Sequence, residues 1–443
     1  MDAQAPAQKA ARRDPRIFLW KAGGLVAVFL LTFIVGNFCI SKDRAVTRRM
    51  LGHDFLVFYF GGTCARTGQY QKLYDLDAAR DFERATGRAA DLELGESFGP
   101  WWNPPFAAWM FAPLSAFSYR RALALWWMIE LCCLIASLFL LCRMLRGDWK
   151  TKLLVPLFLL TAMPFIQAAS HAQNTFVSLL LLTITVGLWR SGRGFAAGLV
   201  CGLLLYKPQL AAVVAIVLCL SQGWAALAGV GAMGLALLAI NLLSMPGSLH
   251  DFIIHMPANL HWMQVEHRYL WQRHVTFKGF WRLLIQGWAV GPASPLVVAL
   301  WGACAAALAV GLLAVIWHTL RGKPSPSQTD RLIAATIAAM PLLMPFYFDY
   351  DLLLLVVAAV VYAADRQRGP AADNGWEDRW LPWVWLVLYL VMEVATPIAD
   401  HTRLHLTVPL LALTAVLLIR RALRRQSGAA TASQPTAPIA LPT

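Results

Sequence analysis

At Gly52-His53-Asp54-Phe55 the chain sets a carboxylate just beyond its first long apolar segment. An ionisable group at the edge of hydrocarbon is costly to keep there, which makes Asp54 the first candidate for function, as a general base. Its alternatives are an N-cap or an ion pair with Arg48 or Arg49. Gln173 and Asn174 occupy a very short polar turn between two apolar runs, where amides either bind hydroxyl groups or cap the helix beginning at Thr175. Lys207 stands amid apolar sequence just before Pro208. A lysine there either meets an anion, helped by the N–H groups of the following helix start, or snorkels to the interface. Arg268, Arg273 and His274 are interleaved with Trp262, Tyr269 and Trp271. Arginine forks suit phosphate and aromatic faces suit sugar, although the same mix also builds an interfacial aromatic belt. Phe348-Asp349-Tyr350-Asp351 offers two acids, as a helix cap or as further ligands.

The elements that must position these residues are membrane helices. The chain has 443 residues, is 58% hydrophobic and only 14% charged, and contains 19 Trp; its mean hydropathy is +0.56. Such a composition belongs to a polytopic membrane protein. Twelve spans are expected, near 17–40, 121–143, 153–169, 175–190, 194–206, 208–221, 224–245, 293–319, 331–347, 350–365, 380–397 and 403–421. The first is too long for a secretory signal and lacks a cleavage site, so it is expected to stay as a helix. Residues 17–421 form one membrane domain, preceded by a cytoplasmic tail over 1–16 and followed by a disordered cytoplasmic tail over 422–443.

The net charge of +14 is explained by topology rather than by nucleic acid. With both termini inside, Arg143, Arg146, Lys150, Lys152, Arg190, Arg193, Arg321, Lys323, Arg366, Arg368, Arg420, Arg421, Arg424 and Arg425 fall on inner connections, while the short outer ones carry only Lys207 and Arg403. The long segments 41–104 and 246–292 are then both outside, with nine of the ten histidines, all but His318. Pro104 to Phe117 is too short and proline-broken to span, so it reads as a partial or interfacial helix. Lys207-Pro208 reads as the break between two half-length helices. Asp75, Asp77, Arg80, Asp81, Glu83 and Arg84 lie at helical spacing, giving an amphipathic helix on the membrane surface.

Cys132, Cys133, Cys142, Cys201, Cys219 and Cys304 sit within spans as small apolar residues, and no zinc spacing occurs. The carboxylates are scattered, so no metal is expected, and no cofactor. The absence of phosphate-binding glycine loops argues against ATP-driven transport and nicotinamide chemistry.

Several stretches carry a resemblance. His53-Asp54-Phe55 with Tyr59, Gly68 and Leu73-Tyr74-Asp75 resembles the first outer loop of glycosyltransferase family 87, a group of GT-C enzymes that use polyprenyl-phosphate sugars, notably polyprenol-phosphate mannose. Asn103-Pro104-Pro105-Phe106 with Ala112-Pro113-Leu114, then Ala172-Gln173-Asn174, then Ala197-Gly198 through Lys207-Pro208-Gln209 follow in the family's order, from about residue 20 to 365. Asn103 stands where the family commonly has tyrosine, and Ala172 where it commonly has glycine.

The resemblance implies an all-α GT-C fold and an inverting, metal-independent transfer of a sugar, mannose by analogy, to a lipid or glycan acceptor on the outer face of a bacterial inner membrane. Asp54 would be the base. Lys207, Arg273 and His274 would bind the donor phosphate. His53, Asn103, Gln173, Asn174, Trp271, Asp349, Tyr350 and Asp351 would line the sugar and acceptor positions. The expected partners are the polyprenyl-phosphate sugar, its acceptor and membrane lipids, with no nucleic acid. The competing class is a polytopic transporter or flippase, against which stand the lack of an inverted repeat and the collection of ionisable groups at one surface.

Overall fold

A computed structural model describes residues 19–21, 23–28, 52–92, 94, 98–322, 324–368 and 375–424. Most of the expected first span, together with Arg48, Arg49 and the chain beyond Arg424, lies outside the described residues. The described chain is helical throughout, save for one isolated antiparallel bridge between His274 and Phe348. After a helical stretch at Leu19–Val28 come α1 (Phe55–Thr67), α2 (Leu76–Ala89), α3 (Tyr119–Met144), α4 (Trp149–Leu160), α5 (Met163–His171), α6 (Thr175–Arg190), α7 (Gly194–Leu203), α8 (Pro208–Gln222), α9 (Trp224–Ser244) and α10 (Ser248–His261). They are followed by α11 (Phe277–Gln286), α12 (Pro295–Leu320), α13 (Pro326–Leu343), α14 (Leu355–Arg366), α15 (Trp376–Met392), α16 (Ala395–Thr402) and α17 (Thr407–Leu423).

Among the described residues, α3, α9 and α12 are long and apolar enough to cross a bilayer unaided. At about 1.5 Å per residue, 26-residue α3 and α12 each extend about 39 Å. Their outward faces carry Met128, Ile135 and Phe139 on α3, Leu235 and Leu243 on α9, and Val310 and Leu313 on α12, all exposed. Apolar side chains left open along a whole helix are facing lipid. Two further candidate spans are bent pairs: α4 with α5 at 56°, and α15 with α16 at 68°. The α4–α5 bend falls at Thr161-Ala162, ahead of Pro164 near the start of α5, where proline is tolerated because its missing N–H has no intrahelical partner. These bent pairs lie where spans are expected over 153–169 and 380–397.

Other expectations hold in form. Pro105–Met110 and Leu114–Ala116 are short 3-10 turns, too short to span. Lys207 has extended backbone at the break between α7 with its 3-10 tail and α8. The amphipathic helix appears as α2, capped by the Asp75 side chain, which accepts from the N–H groups of Asp77 and Ala78.

The expected inner turns gather at the end of the bundle opposite Asp54, where a buried ionic network joins four helices. Asp365 on α14 accepts from Arg421 Nη1 at 2.6 Å and Arg331 Nε at 3.2 Å, and from Ser327 at 2.5 Å. Arg421 of α17 also reaches Asp378 of α15 at 2.7 Å. Removing one member of such a network strands the other charges in a dry site. Asp365→Asn should therefore lower stability by about 3–5 kcal/mol, read as a fall in melting temperature of the detergent-purified protein. A variant that melts like the parent would show that this network does not hold the helices together.

Candidate active site

The site is built on a turn that other helices hold from behind. Between α5 and α6 the chain reverses through Ala172, which has a left-handed backbone (φ 54°, ψ 42°). That conformation costs a non-glycine residue roughly 1 kcal/mol, so the surroundings must enforce it. Trp126 Nε1 of α3 donates to the Ala172 carbonyl at 3.0 Å and Trp127 Nε1 to that of Ala169 at 3.0 Å. Glu130, one turn further along α3, accepts from the N–H groups of Phe176 at 3.0 Å and Val177 at 3.3 Å. A buried glutamate of one helix thereby caps the start of another, satisfying donors that have no partner within their own helix. Asn174, weighed as the cap of α6, makes no side-chain cap bond; its amide is buried and unpaired.

The same turn grips the Asp54 loop. Gly52 N donates to the Ser170 carbonyl at 2.7 Å, and the Tyr119 hydroxyl donates to the Gly52 carbonyl at 2.8 Å. Gly52 has φ 76°, a left-handed backbone that favours glycine, and an added Cβ would also press on the methyl groups of Leu123 at 2.7 Å. Asp54 occupies the N-cap position of α1 but makes no cap hydrogen bond. Its carboxylate instead accepts from Gln173 Nε2 at 2.5 Å and stands 3.5 Å from Nδ1 of both His53 and His171, with 27% of the side chain open to solvent. Burial works to raise the Asp54 pKa, yet the hydrogen bonding of His171 and His53, with the charges of His171 and Arg273, holds it well below the usual carboxylate range. The hydrogen bond to Asp54 raises the pKa of His53 against the opposing effect of burial, with help from the Asp54 and Glu83 charges.

The opposite wall comes from the second long loop and the turn after α13. Val275 N donates to the Tyr347 carbonyl at 3.0 Å, beside the His274–Phe348 bridge, and this short pairing brings Arg273 to Asp349. The guanidinium holds Asp349 through Nη2 at 3.0 Å and Nε at 3.2 Å, while Thr396 donates to Asp349 at 3.2 Å. Arg273 also lies 5.7 Å from the ring centres of Phe348 and Tyr350. On the other side of Tyr350, Lys207 reaches Asp351 at 3.3 Å, and Thr175 donates to the same carboxylate at 2.9 Å.

Several expectations are corrected here. Lys207 is buried and its ammonium is paired with Asp351, so it does not snorkel to the interface. Asp349 and Asp351 are counter-ions at the start of a short 3-10 helix; Asp349 also accepts from the Tyr350 N–H of that helix at 2.9 Å, whereas Asp351 is taken up by Lys207 and Thr175. They are two residues apart, yet each is drawn to a different cation. His274 is enclosed, with Nε2 2.6 Å from the Tyr269 hydroxyl; burial and the neighbouring cations push its pKa well below the ordinary value, which makes it an uncharged prop for the loop. Trp271 is buried against Tyr269 and His274. Asn103 is buried and lends its carbonyl to the Tyr74 hydroxyl at 2.8 Å. The structure shows neither residue in contact with Asp54. Among the described residues no three His, Cys, Asp or Glu side chains form a metal set.

Two groups escaped the sequence reading of the site. His171 was sorted to the outer face without a role. Glu83 was read only as part of a surface helix, but it is buried, accepts from Gly99 N at 3.1 Å, and has its pKa pushed up to about 8 by burial.

Long apolar helices with an open carboxylate and an arginine-bearing loop at one end of the bundle are the features of a multi-pass membrane protein with a polar site. Residues 101–345 match the model of glycosyltransferase family 87, more than half of the chain, and the chain belongs to that family. It is thus a glycosyltransferase of the polytopic GT-C type. The matched span begins after Asp54 and ends before Asp349, and it includes Gln173, Lys207 and Arg273. No curated protein and no solved structure matches the chain.

Two outcomes follow. Glu130→Ala leaves two buried N–H groups without an acceptor and should cost about 2–4 kcal/mol, with a parallel loss of activity as the Gln173 turn loosens; thermal melting and turnover check this. Glu83 binds its proton more tightly when folded, so between about pH 4.5 and 8 the folded state holds the extra proton and stability must fall as pH rises. Stability curves at pH 5 and pH 8 should diverge for the parent by a few kcal/mol more than for Glu83→Gln. Equal slopes would exclude Glu83 as the titrating group.

Proposed function

We propose that this protein transfers a sugar, most simply mannose, from a polyprenyl phosphate to a lipid or glycan acceptor, with Asp54 as base and Arg273 facing the leaving phosphate. The observation that carries the reading is the pairing of an uncapped, partly open carboxylate with an arginine close enough to act on it electrostatically. Arg273 commits Nε and Nη2 to Asp349, and Nη1 makes no hydrogen bond to any described residue. A guanidinium held by a carboxylate but still open on one edge is preorganised for a phosphate oxygen.

The reaction balances without a further group. The acceptor hydroxyl attacks the anomeric carbon on the side away from the phosphate, its proton passes to Asp54, and the sugar C–O bond to phosphate breaks with inversion. Polyprenyl phosphate departs carrying the extra negative charge toward Arg273. A carboxylate held at low pKa is a weak base, so it takes the proton late, once the hydroxyl is already bonding to carbon. His53, His171 and Gln173 fix the orientation of that carboxylate, the positioning role that neighbouring hydrogen bonds serve.

A lipid donor is supported by an apolar groove of about 320 Å³ between the helical stretch at Leu19–Val28, the α4–α5 pair, α14 and α15. It shares Pro164, Leu352 and Met392 with a small cleft that reaches Asp349 and Thr396. A prenyl chain lying in the groove would deliver its phosphate to the Arg273 side. We place this site on the outer face of a bacterial inner membrane, with twelve crossings and both termini inside; the arginine-rich turns at the opposite end support that orientation.

Purified protein given radiolabelled polyprenyl-phosphate mannose should label a membrane acceptor. Asp54→Asn should reduce transfer at least 100-fold without changing donor binding, while Arg273→Gln should weaken donor binding by about 10- to 100-fold. Full activity in Asp54→Asn would refute the base assignment.

A further inference from the structure

At the end of the bundle away from Asp54, the last turns of α3 and α6 and the first turn of α13 enclose a cavity of about 550 Å³. Its polar wall is lined by Arg143, Arg190 and Arg368 and by one carboxylate, Asp330. Arg190 holds Asp330 through Nε at 2.8 Å and Nη2 at 3.0 Å. Arg368 pairs with the same carboxylate, and its Nε is buried without a hydrogen-bond partner among the described residues. The charges of Arg190 and Arg146 both act on Arg368. Two guanidiniums thus share a single acid, with Arg143 on the same cavity wall and the charge of Arg146 felt at Arg368, and a buried donor is left over.

The facing wall is of opposite character. Leu140 of α3 and Ile184 and Leu188 of α6 line it, on helices that continue into the bilayer. A free anion would use only the arginines, whereas a phospholipid uses both walls at once. We propose that this cavity binds an anionic phospholipid of the leaflet at that face, its phosphate on Arg143 and Arg368 and an acyl chain along Leu140 and Ile184. Basic pockets between membrane helices are a recurring headgroup site. Arg143 is exposed, so its guanidinium can meet a headgroup without breaking the Asp330 pairs. The α6 and α13 helices both lead from this cavity to the turns carrying Gln173 and Asp349.

The test is titration of the detergent-purified protein with phosphatidylglycerol, phosphatidylcholine or inorganic phosphate, following melting temperature and lipid retention in native mass spectrometry. Phosphatidylglycerol should raise the melting temperature saturably and remain bound, and phosphatidylcholine should do neither. Arg143→Gln should bind it about five-fold more weakly, and Arg143→Gln with Arg146→Gln more weakly still, while both variants melt like the parent without lipid. Equal stabilisation by phosphatidylcholine, or unchanged affinity in the double variant, would overturn the proposal. Inorganic phosphate reproducing the effect at the same concentration would overturn the lipid assignment in favour of a simple anion site.

Discussion

The site depends on how α3 satisfies the backbone of its neighbours. A helix start or reversal buried among membrane helices cannot leave N–H and carbonyl groups bare, because no water is present to pair with them. Trp126, Trp127 and Glu130 lie within two turns of α3 and together answer for the carbonyls of Ala169 and Ala172 and the N–H groups of Phe176 and Val177. Only with those groups paired can the chain turn sharply enough to hold His171 and Gln173 against Asp54. Gly52, bound to Ser170 and Tyr119, transfers the same constraint to the loop carrying the carboxylate.

Charge is arranged differently at the two ends of the bundle. Opposite Asp54, Asp365 and Asp378 each serve more than one arginine, a network whose purpose is to lock helices together. Near Asp54 the cations are separated. Lys207 with Asp351 is buried and closed by Thr175, whereas Arg273 with Asp349 retains an open edge. On the proposed reading, a phosphate near Tyr350 would meet the open edge of Arg273, while Lys207 is already committed to Asp351. That division explains why the lysine, though conspicuous amid apolar sequence, is the less suitable ligand: moving it would uncover a buried Asp351.

The sequence makes the membrane class, Asp54, Gln173 and the Arg273 loop legible because each is a local anomaly, a polar residue at the end of an apolar run. Pairings between distant segments are not legible in this way. Nothing near Arg273 indicates Asp349, 76 residues away, and nothing near Asp54 indicates His171. Glu130 did offer a signal, a single acid inside a 26-residue apolar helix, of the kind that calls for a named partner. Its partner is the bare start of α6 rather than a cation, which no charge pattern reveals. Glu83 was hidden for the opposite reason: it sits among Asp81, Arg84 and other solvated charges on α2, and only burial distinguishes it.

The low pKa of Asp54 and the left-handed backbone at Ala172 bear on the same question, how rigidly the carboxylate is held. A carboxylate fixed by two imidazoles and an amide gives up basicity, because each donor stabilises the charged form it must lose on accepting a proton. On the proposed mechanism, the oxygen that would face the acceptor is set before substrate arrives, and reorganisation that would otherwise add to the barrier is avoided. Such an arrangement demands a turn that does not drift. Compared with a glycine, Ala172 narrows the conformations open to the unfolded chain while its left-handed backbone is held by Trp126. The strain at that alanine and the weak basicity of Asp54 are thus two consequences of one choice, a fixed site in place of an adaptable one.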